Sequence, residues 1–543
     1  MFFDLDAYER FRMSKEELDR DDKARQEEKK KKEEEEKAKQ QAEKDQKNGK
    51  DKDGAKVEVK KVEAIELDTV NCRDRIIRLT RNSARLGDML LSPDGNTLYY
   101  QARYEDGYDL WKVDLKKWTT SKLMKGLGGR MVADKDVKNV FVCQNNIRKV
   151  DLMSGSQKSV DFEAWFNFKP YEERQYLFEH AWRQVKDKFY DSSIHGVDWE
   201  GYRKTYERFL PYINNNYDFS EMLSEMLGEL NASHTGARFY ANGPSLKTAS
   251  LGLFFDETYN GDGLKVKEVI KRGPFAVKNT GIAAGSIITA IDGCEIKAGD
   301  DYNHLLDGKA GKAVRVEFMK SKGKDRETVT VKPIEQGVLQ ELLYKRWVDR
   351  NRHFVDSISG GRIAYVHVKA MDSQSFRTVY EELLSDRNRN RDAVVVDERH
   401  NGGGWLHDDL CTLLSGKEYQ NFVPRGQYIG RDPFNKWTKP SCVLICEDDY
   451  SNGHGFPMVY KELNIGKLIG TPVAGTMTAV WWERLMDSSL VFGIPQVGCR
   501  DMRGVYGENT TLNPDIEVYN TPEDVINGYD RQLERAVREM MKK

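Results

Sequence analysis

Residues 441–460, Ser-Cys-Val-Leu-Ile-Cys-Glu-Asp-Asp-Tyr-Ser-Asn-Gly-His-Gly-Phe-Pro-Met-Val-Tyr, constrain the fold more than any other stretch of the chain. The apolar run 443–446 reads as a buried strand, a polar turn follows over 447–455, and Phe456, Met458, Val459 and Tyr460 open a helical pattern. Ser451 stands where strand hands over to helix. The first N–H groups of a helix have no internal partner, so at such a junction they can hold an oxyanion beside a nucleophilic side chain. The same position suits a plain N-cap serine before Asn452. Ser451 therefore acquires a chemical role only with partners from elsewhere in the chain.

At 543 residues the chain has room for three or four domains, each with its own core. Its 86 basic and 88 acidic residues leave a net charge of -2, which gives no argument for nucleic acid or an anionic membrane as partner. No apolar run reaches the roughly 18 residues of a membrane span, and the start, Met-Phe-Phe-Asp-Leu-Asp-Ala, lacks the basic and apolar regions of a secretion signal. The 7 cysteines are scattered and odd in number, which is no disulfide framework. Cys442 and Cys446 share the expected strand and are expected to face the core. Without a second pair they argue for no metal site, and no metal or cofactor is expected.

In chain order, residues 14–63 are nearly all Lys, Glu, Asp, Gln and Ala and read as a solvated helix or a disordered insertion. Residues 64–160 contain an internal echo. The stretch 91–100 leads to 109–114, and 132–143 leads to 147–151, each time a polar turn, a strand and a second strand ending in Val-Asp-Leu. A spacing of about 40 residues is that of propeller blades. These are expected to be part of a β-propeller, with 1–13 as the tail of a blade whose beginning is absent or supplied from elsewhere.

Residues 161–247 take helical spacing, with Leu177, Phe178, Ala181, Trp182, Val185 and Phe189 on one stripe. Asp218 with Glu221 reads as a capping box opening a helix over 219–230. That helix runs into Asn231-Ala-Ser-His-Thr-Gly236, a polar turn in which His234 can be oriented and still reach solvent. Residues 248–335 change to short, glycine-punctuated strands, and Gly281-Ile-Ala-Ala-Gly285 after a helix, followed by Ile287-Ile-Thr-Ala-Ile-Asp-Gly293, resembles a PDZ domain, with Ser286 replacing the usual Asp. Such a domain takes a peptide as an added strand. Residues 336–543 alternate strand and helix. The strand 392–397 ends in Glu398-Arg-His-Asn-Gly-Gly-Gly404, whose glycines free backbone N–H groups to converge on an anion where open α/β sheets bind ligands.

Taken in order, Gly228-Glu-Leu-Asn-Ala-Ser-His-Thr235, the PDZ unit, Asp397-Glu-Arg-His-Asn-Gly-Gly-Gly404, Tyr450-Ser-Asn-Gly453 and Glu508-Asn-Thr-Thr-Leu-Asn-Pro-Asp-Ile516 resemble the tricorn group within the C-terminal-processing family of serine peptidases. The resemblance implies a multidomain chain: partial β-propeller, helical segment, PDZ-like β domain and an α/β peptidase core of the crotonase/ClpP-like type. It implies Ser451 as nucleophile, His234 as general base, and Ser233 and Glu508 as the hydroxyl and carboxylate that orient the imidazole. The N–H groups of Asn452 and of the 402–404 turn, Gly403 foremost, would form the oxyanion hole. The family more often has Asp where Asn452 stands, which puts in doubt any role for a side-chain charge there.

The implied activity is hydrolysis of peptides or unfolded polypeptides through an acyl-enzyme, with peptide substrates and a homo-oligomer among the partners. His454, three residues past Ser451, is a rival base, and the charged segment 425–432 is expected to line the pocket for the residue before the scissile bond. A non-catalytic scaffold on the same fold and a serine esterase are the alternative functions. Cytoplasmic and periplasmic placements both stand.

Overall fold

The computed structural model describes residues 5–46, 69–70, 72–80, 82–135, 137–241, 243, 246–276, 280–321 and 325–542. The chain divides into two compact units, Met1–Asn167 and Phe168–Lys543.

The first unit opens with two helices, α1 (Leu5–Arg12) and α2 (Lys15–Gln46). The blade tail expected over 1–13 is thus helical in its described part. Tyr8 and Phe11 fall three apart on one helical face, and Phe11 packs edge-on against Trp118 with ring centroids 5.6 Å apart. A capping box that the sequence reading passed over starts α2: Glu17 N–H donates to Ser14 Oγ at 3.3 Å, and Glu17 Oε2 accepts from Ser14 N–H at 2.7 Å. Among the described residues the charged stretch is helical as far as Gln46, and 47–63 lies outside them.

Two four-stranded antiparallel meanders follow: β1 (Arg85–Leu91), β2 (Thr97–Arg103), β3 (Asp109–Asp114) and β4 (Thr119–Met124), then β5 (Arg130–Ala133), β6 (Asn139–Cys143), β7 (Ile147–Asp151) and β8 (Gln157–Val160). The sequence echo falls on the middle strands of each. Both meanders feed one core that includes Tyr99, Leu110, Met131, Val140 and Val150. Asp88 Oδ2 also accepts from Met131 N–H at 2.7 Å, tying β1 to β5. No closed ring of sheets forms among the described residues.

The second unit begins with α3 (Pro170–Lys188), α4 (Trp199–Glu207) and α5 (Asn216–Gly228). The expected stripe on α3 is buried, together with Phe189 just beyond it. α5 starts earlier than the sequence reading placed it. Asn215, extended at φ -141°, is the N-cap and accepts from Asp218 N–H at 2.8 Å, so Asp218 lies inside the first turn. The short strand β9 (Ala237–Phe239) comes next. The PDZ-like part is one sheet of β10 (Leu253–Phe255), β11 (Leu264–Val269), β12 (Ile287–Ile291), β13 (Cys294–Glu295), β14 (Val314–Met319) and β15 (Arg326–Val331) around buried Ile288, Val314, Val316 and Phe318. Ser286 is buried there, and its hydroxyl accepts from Ala283 N–H at 3.1 Å, the kind of turn bond an Asp side chain also makes. The helix expected before Gly281 is a run of turns up to residue 276, and 277–279 lie outside the described residues.

The remainder is α6 (Gln336–Ser359), β16 (Ile363–His367), α7 (Ser373–Leu384), α8 (Asp386–Arg389), β17 (Ala393–Asp397), α9 (His407–Leu414), the hairpin β18 (Gln420–Phe422) and β19 (Gly430–Asp432), then β20 (Ser441–Ile445), α10 (Asn452–Glu462), β21 (Lys467–Gly470), β22 (Thr478–Arg484), β23 (Leu490–Gly498), β24 (Ile516–Glu517), α11 (Pro522–Ile526) and α12 (Arg531–Met540). The single closing helix expected after residue 522 is broken at Gly528, at φ +69°, and Asp530 caps the second half.

β16, β17, β20, β21 and β24 form a parallel sheet in that order. Successive strand residues alternate between its two faces. Val394, Val396, Val443 and Ile445 pack against α7, α9 and α10, while Val395, Cys442 and Leu444 pack against α6 and α12. Each fully buried aliphatic side chain contributes about 1.5–3 kcal/mol, which is why these strands read as continuous apolar runs. A second sheet, β22–β23–β9, joins the helices to this core: Leu490, Phe492 and Ile494 share one cluster with Phe178, Trp182 and Leu227.

Candidate active site

Three loops leave the carboxyl ends of the parallel strands side by side: 398–406 after β17, 446–451 after β20 and 471–477 after β21. Ser451 caps α10 with φ +59° and ψ -119°, a conformation that costs a non-glycine residue about 1–3 kcal/mol. Its surroundings hold it there. Ser451 N–H donates to Thr476 Oγ1 at 2.8 Å, and Tyr450 N–H donates to Asn401 O at 2.9 Å. The Ser451 side chain makes no cap hydrogen bond, so the N-cap reading accounts for its place but leaves its hydroxyl free for other work.

The glycine turn fits over this serine. A Cβ on Gly403, at φ +93°, would lie 2.5 Å from Ser451 Cβ and 3.0 Å from Asn452 N, so only glycine lets the turn approach so closely. Gly403 N–H, the foremost oxyanion donor of the sequence reading, already donates to Asn401 Oδ1 at 2.9 Å. Gly402 and Gly404 line the cleft instead, and their N–H groups make no hydrogen bond among the described residues. Asn452 opens α10, where the helix offers its N–H no partner. Its side chain is engaged elsewhere: Oδ1 accepts from Leu406 N–H at 2.7 Å and His407 N–H at 3.0 Å, and Nδ2 lies 2.8 Å from His407 Nδ1. The Asn452 side chain thus fastens the glycine loop and the start of α9 to α10, and carries no charge into the cleft.

His234 reaches the same cleft from the other sheet. It lies in the turn between α5 and β9 at φ +62°, and β9 pairs with β23, Phe492 opposite Ala237. Its backbone N–H donates to the Tyr450 hydroxyl at 2.7 Å, and its ring centroid is 4.8 Å from that of Tyr450. Ser233 Oγ is 2.8 Å from His234 Nδ1 and donates to Glu508 Oε2 at 2.9 Å, while Ser233 N–H donates to Glu508 Oε1 at 2.5 Å. With its proton directed to Glu508, the Ser233 hydroxyl accepts from Nδ1–H and leaves Nε2 with a free lone pair. Thr478 Oγ1, at the start of β22, is 3.0 Å from Nδ1 and 3.1 Å from Ser233 Oγ. Nothing local in the sequence singles out this threonine; it comes from 244 positions away in the chain.

Burial pushes the His234 pKa down to about 4, so the imidazole is neutral near pH 7. Burial also raises the Glu508 carboxyl, against the opposing pull of its two bonds to Ser233. Ser451 and His234 face one cleft of about 470 Å³ lined also by Trp405, Met477, Val480 and Trp482. Among the described residues no hydrogen bond joins the Ser451 hydroxyl to the imidazole, and such contacts commonly tighten only with substrate bound.

His454, the rival base, is 1% exposed, does not line the cleft, and its Nδ1 has no hydrogen-bond partner. The segment 425–432 does not line the cleft either: it is drawn into the β18–β19 hairpin, where Phe422 stacks on Phe434. The group of metal-ligating side chains among the described residues is His400, Cys446 and Asp448. His400 and Asp448 are exposed and pair with each other at 2.9 Å, and burial pushes the Cys446 thiol up to about 12.

Beneath the glycine loop, buried Arg399 donates to Asp397 and to Asp530 and Gln532 near the start of α12, and Tyr365 OH donates to Asp397 at 2.9 Å. Glu398 beside it is fully buried. Burial, with Asp449 and Asp397 nearby, raises its pKa well above the usual carboxylate range and holds it neutral.

Family models match three parts of the chain: the tricorn protease C1 domain over residues 170–228, the tricorn protease PDZ domain over 256–336 and peptidase family S41 over 362–518. A putative tricorn-like protease C-terminal subunit of Sulfurisphaera tokodaii is 29% identical over 389 residues, 69% of this chain and 44% of that protein. The tricorn protease of Thermoplasma acidophilum is 25% identical over 459 residues, 81% of this chain and 42% of that protein. The chain therefore spans less than half the length of these two relatives. A crystal structure of the tricorn protease superposes with a TM-score of 0.75 at 21% identity, over 90% of this chain and 49% of the other, and so shares its fold.

Proposed function

We propose that this chain, tricorn-like through its C1, PDZ and S41 peptidase regions, is a serine peptidase that hydrolyses peptides or unfolded polypeptides through an acyl-enzyme. The observation that supports this reading is the hydrogen-bonded series Glu508, Ser233, His234 opening on the cleft that Ser451 also lines. His234 Nε2 takes the Ser451 hydroxyl proton as Oγ attacks the peptide carbonyl carbon, and the imidazolium is stabilised through Ser233 by Glu508. The oxyanion lies against Asn452 N–H and an N–H of the 402–404 turn, Gly402 or Gly404 in place of Gly403, and each such donor is worth about 10²–10³-fold in kcat. His234 returns the proton to the leaving amine. Water, deprotonated by the same imidazole, then releases the acyl group and restores Ser451.

The two meanders of the first unit are read as blades of a β-propeller that gates the peptide, and the PDZ-like sheet as its tether, taking the chain at a strand edge. A homo-oligomer belongs to the same reading.

A serine-directed phosphonylating reagent tests the assignment. Stoichiometric labelling at Ser451, lost in His234→Ala while the fold is retained, is expected. Absence of labelling in the folded wild-type chain would favour a non-catalytic scaffold, and turnover of small esters with none of peptides would favour an esterase.

A further inference from the structure

Four residues past His234, Arg238 on β9 is exposed and lines the same cleft. Its guanidinium carbon lies 4.1 Å from the centre of the Trp482 ring, close enough for a cation–π contact. The indole is itself fixed. Trp482 pairs with Gly493 across β22 and β23, and a Cβ on Gly493 would come 3.0 Å from a carbon of the ring and 2.5 Å from His234 O. The glycine that lets the base's own backbone pack on β23 is thus also the floor on which the tryptophan holding Arg238 rests.

Among the described residues Arg238 forms no ion pair, whereas the cation closest to Trp482 in sequence on the same sheet is otherwise occupied: Arg484 donates to Ser488 O. Among the described residues no carboxylate lines the cleft, and Trp405, Met477, Ala479, Val480 and Trp482 make much of its wall apolar. Glu508 stands behind Ser233 and is only 5% exposed. An unpaired guanidinium on a partly apolar wall attracts an anion more strongly than it would in open water, and its planar fork suits a carboxylate.

We propose that Arg238 is a specificity-determining residue that selects peptides bearing a carboxylate near the scissile bond. That carboxylate is either an Asp or Glu side chain or the free carboxyl terminus of a short peptide. The proposal rests on the peptidase reading above. It assigns Arg238 no part in the chemical steps.

Matched fluorogenic peptides of one sequence test it with the full chain. One pair differs in Asp against Asn, placed in turn at each position flanking the cleavage point, and a second pair differs in a C-terminal acid against an amide. Wild type is expected to favour one acidic member by about tenfold or more in kcat/KM. Arg238→Met, which keeps an apolar stem over Trp482, should reduce the preference to within about twofold, Arg238→Lys should retain part of it, and Arg238→Glu should reverse it in favour of a lysine-bearing peptide. The pair that shows the effect identifies the source of the carboxylate. Equal kcat/KM for both members of every pair in wild type, or a preference that survives in Arg238→Met, overturns the proposal.

Binding of the same peptides to Ser451→Ala, measured by calorimetry, separates this proposal from the one beneath it. Loss of all turnover in wild type with acid-selective, Arg238-dependent binding intact would sink the peptidase and leave the carboxylate site standing. Turnover without selectivity, or binding that ignores Arg238, does the opposite.

Discussion

Two hydroxyls compete for one nitrogen at the proposed base. Ser233 Oγ and Thr478 Oγ1 stand 2.8 and 3.0 Å from His234 Nδ1 and 3.1 Å from each other, so either can carry the imidazole's orientation when the other is removed. Ser233→Ala and Thr478→Val are each expected to lower kcat by about tenfold and the double variant by about 10³-fold, more than the product of the singles. A strictly multiplicative double-mutant cycle would show that the two act independently. The pH profile is argued from the same residue. Burial moves the His234 pKa from 6.5 down to about 4; the neutral, proton-accepting form therefore persists as pH falls below 6.5, and the acidic limb of kcat/KM is expected near pH 4. A limb at about 6.5 would mean an imidazole open to water. Ser233, His234 and Glu508 were legible in the sequence because they stand in motifs whose order resembles a family. Thr478 was not, because its meaning lies in a contact across the β22–β23–β9 sheet, which no local pattern encodes.

α10 was legible as a helix but not in its start. Phe456 marked the first apolar position, whereas the helix begins at Asn452, because Gly453 and Gly455, weak helix formers, are needed where a side chain would collide. A Cβ on Gly453 would lie 2.6 Å from Asn401 O, and one on Gly455 would lie 2.7 Å from Met477 Sδ. The positive φ of Ser451 was invisible for the same reason: it is imposed by Thr476 and Asn401 from neighbouring loops. Asn452 joins these loops to α9, so Asn452→Ala leaves Leu406 N–H and His407 N–H without their acceptor and is expected to cost about 1–3 kcal/mol in denaturant unfolding. Asn452→Asp keeps the acceptor and loses only the donor to His407 Nδ1, so it should cost less than Asn452→Ala in the same unfolding measurement. A deficit as large as that of Asn452→Ala would show that the bonds to Oδ1 do not carry the joint.

At the scale of the whole chain, changes of periodicity marked the helical, PDZ-like and α/β parts, since a period of about 3.6 and a period of 2 bury different faces. What periodicity could not mark was how the end of the chain is held. Asp397 at the end of β17 and Arg399 are buried in the middle of the second unit, and Arg399 reaches both Asp530 and Gln532, which stand 131 and 133 positions away. In the sequence these are four ordinary polar residues; the folded core makes them one network with Tyr365. Burial pushes the Asp397 carboxyl up, but the charge and hydrogen bonds of Arg399, with His367 and the Tyr365 hydroxyl, together outweigh it and keep the carboxyl below its usual range, so the pair is ionised, and Arg399 pairs with Asp530 as well. Removing the cation alone strands a buried carboxylate. Arg399→Met is therefore expected to destabilise the unit by about 3–5 kcal/mol, whereas Asp397→Asn combined with Arg399→Met, which removes both charges, should recover much of that loss. Chemical denaturation followed by tryptophan fluorescence checks this. An Arg399→Met chain as stable as wild type would show that the network contributes shape to the glycine loop but no stability to the fold.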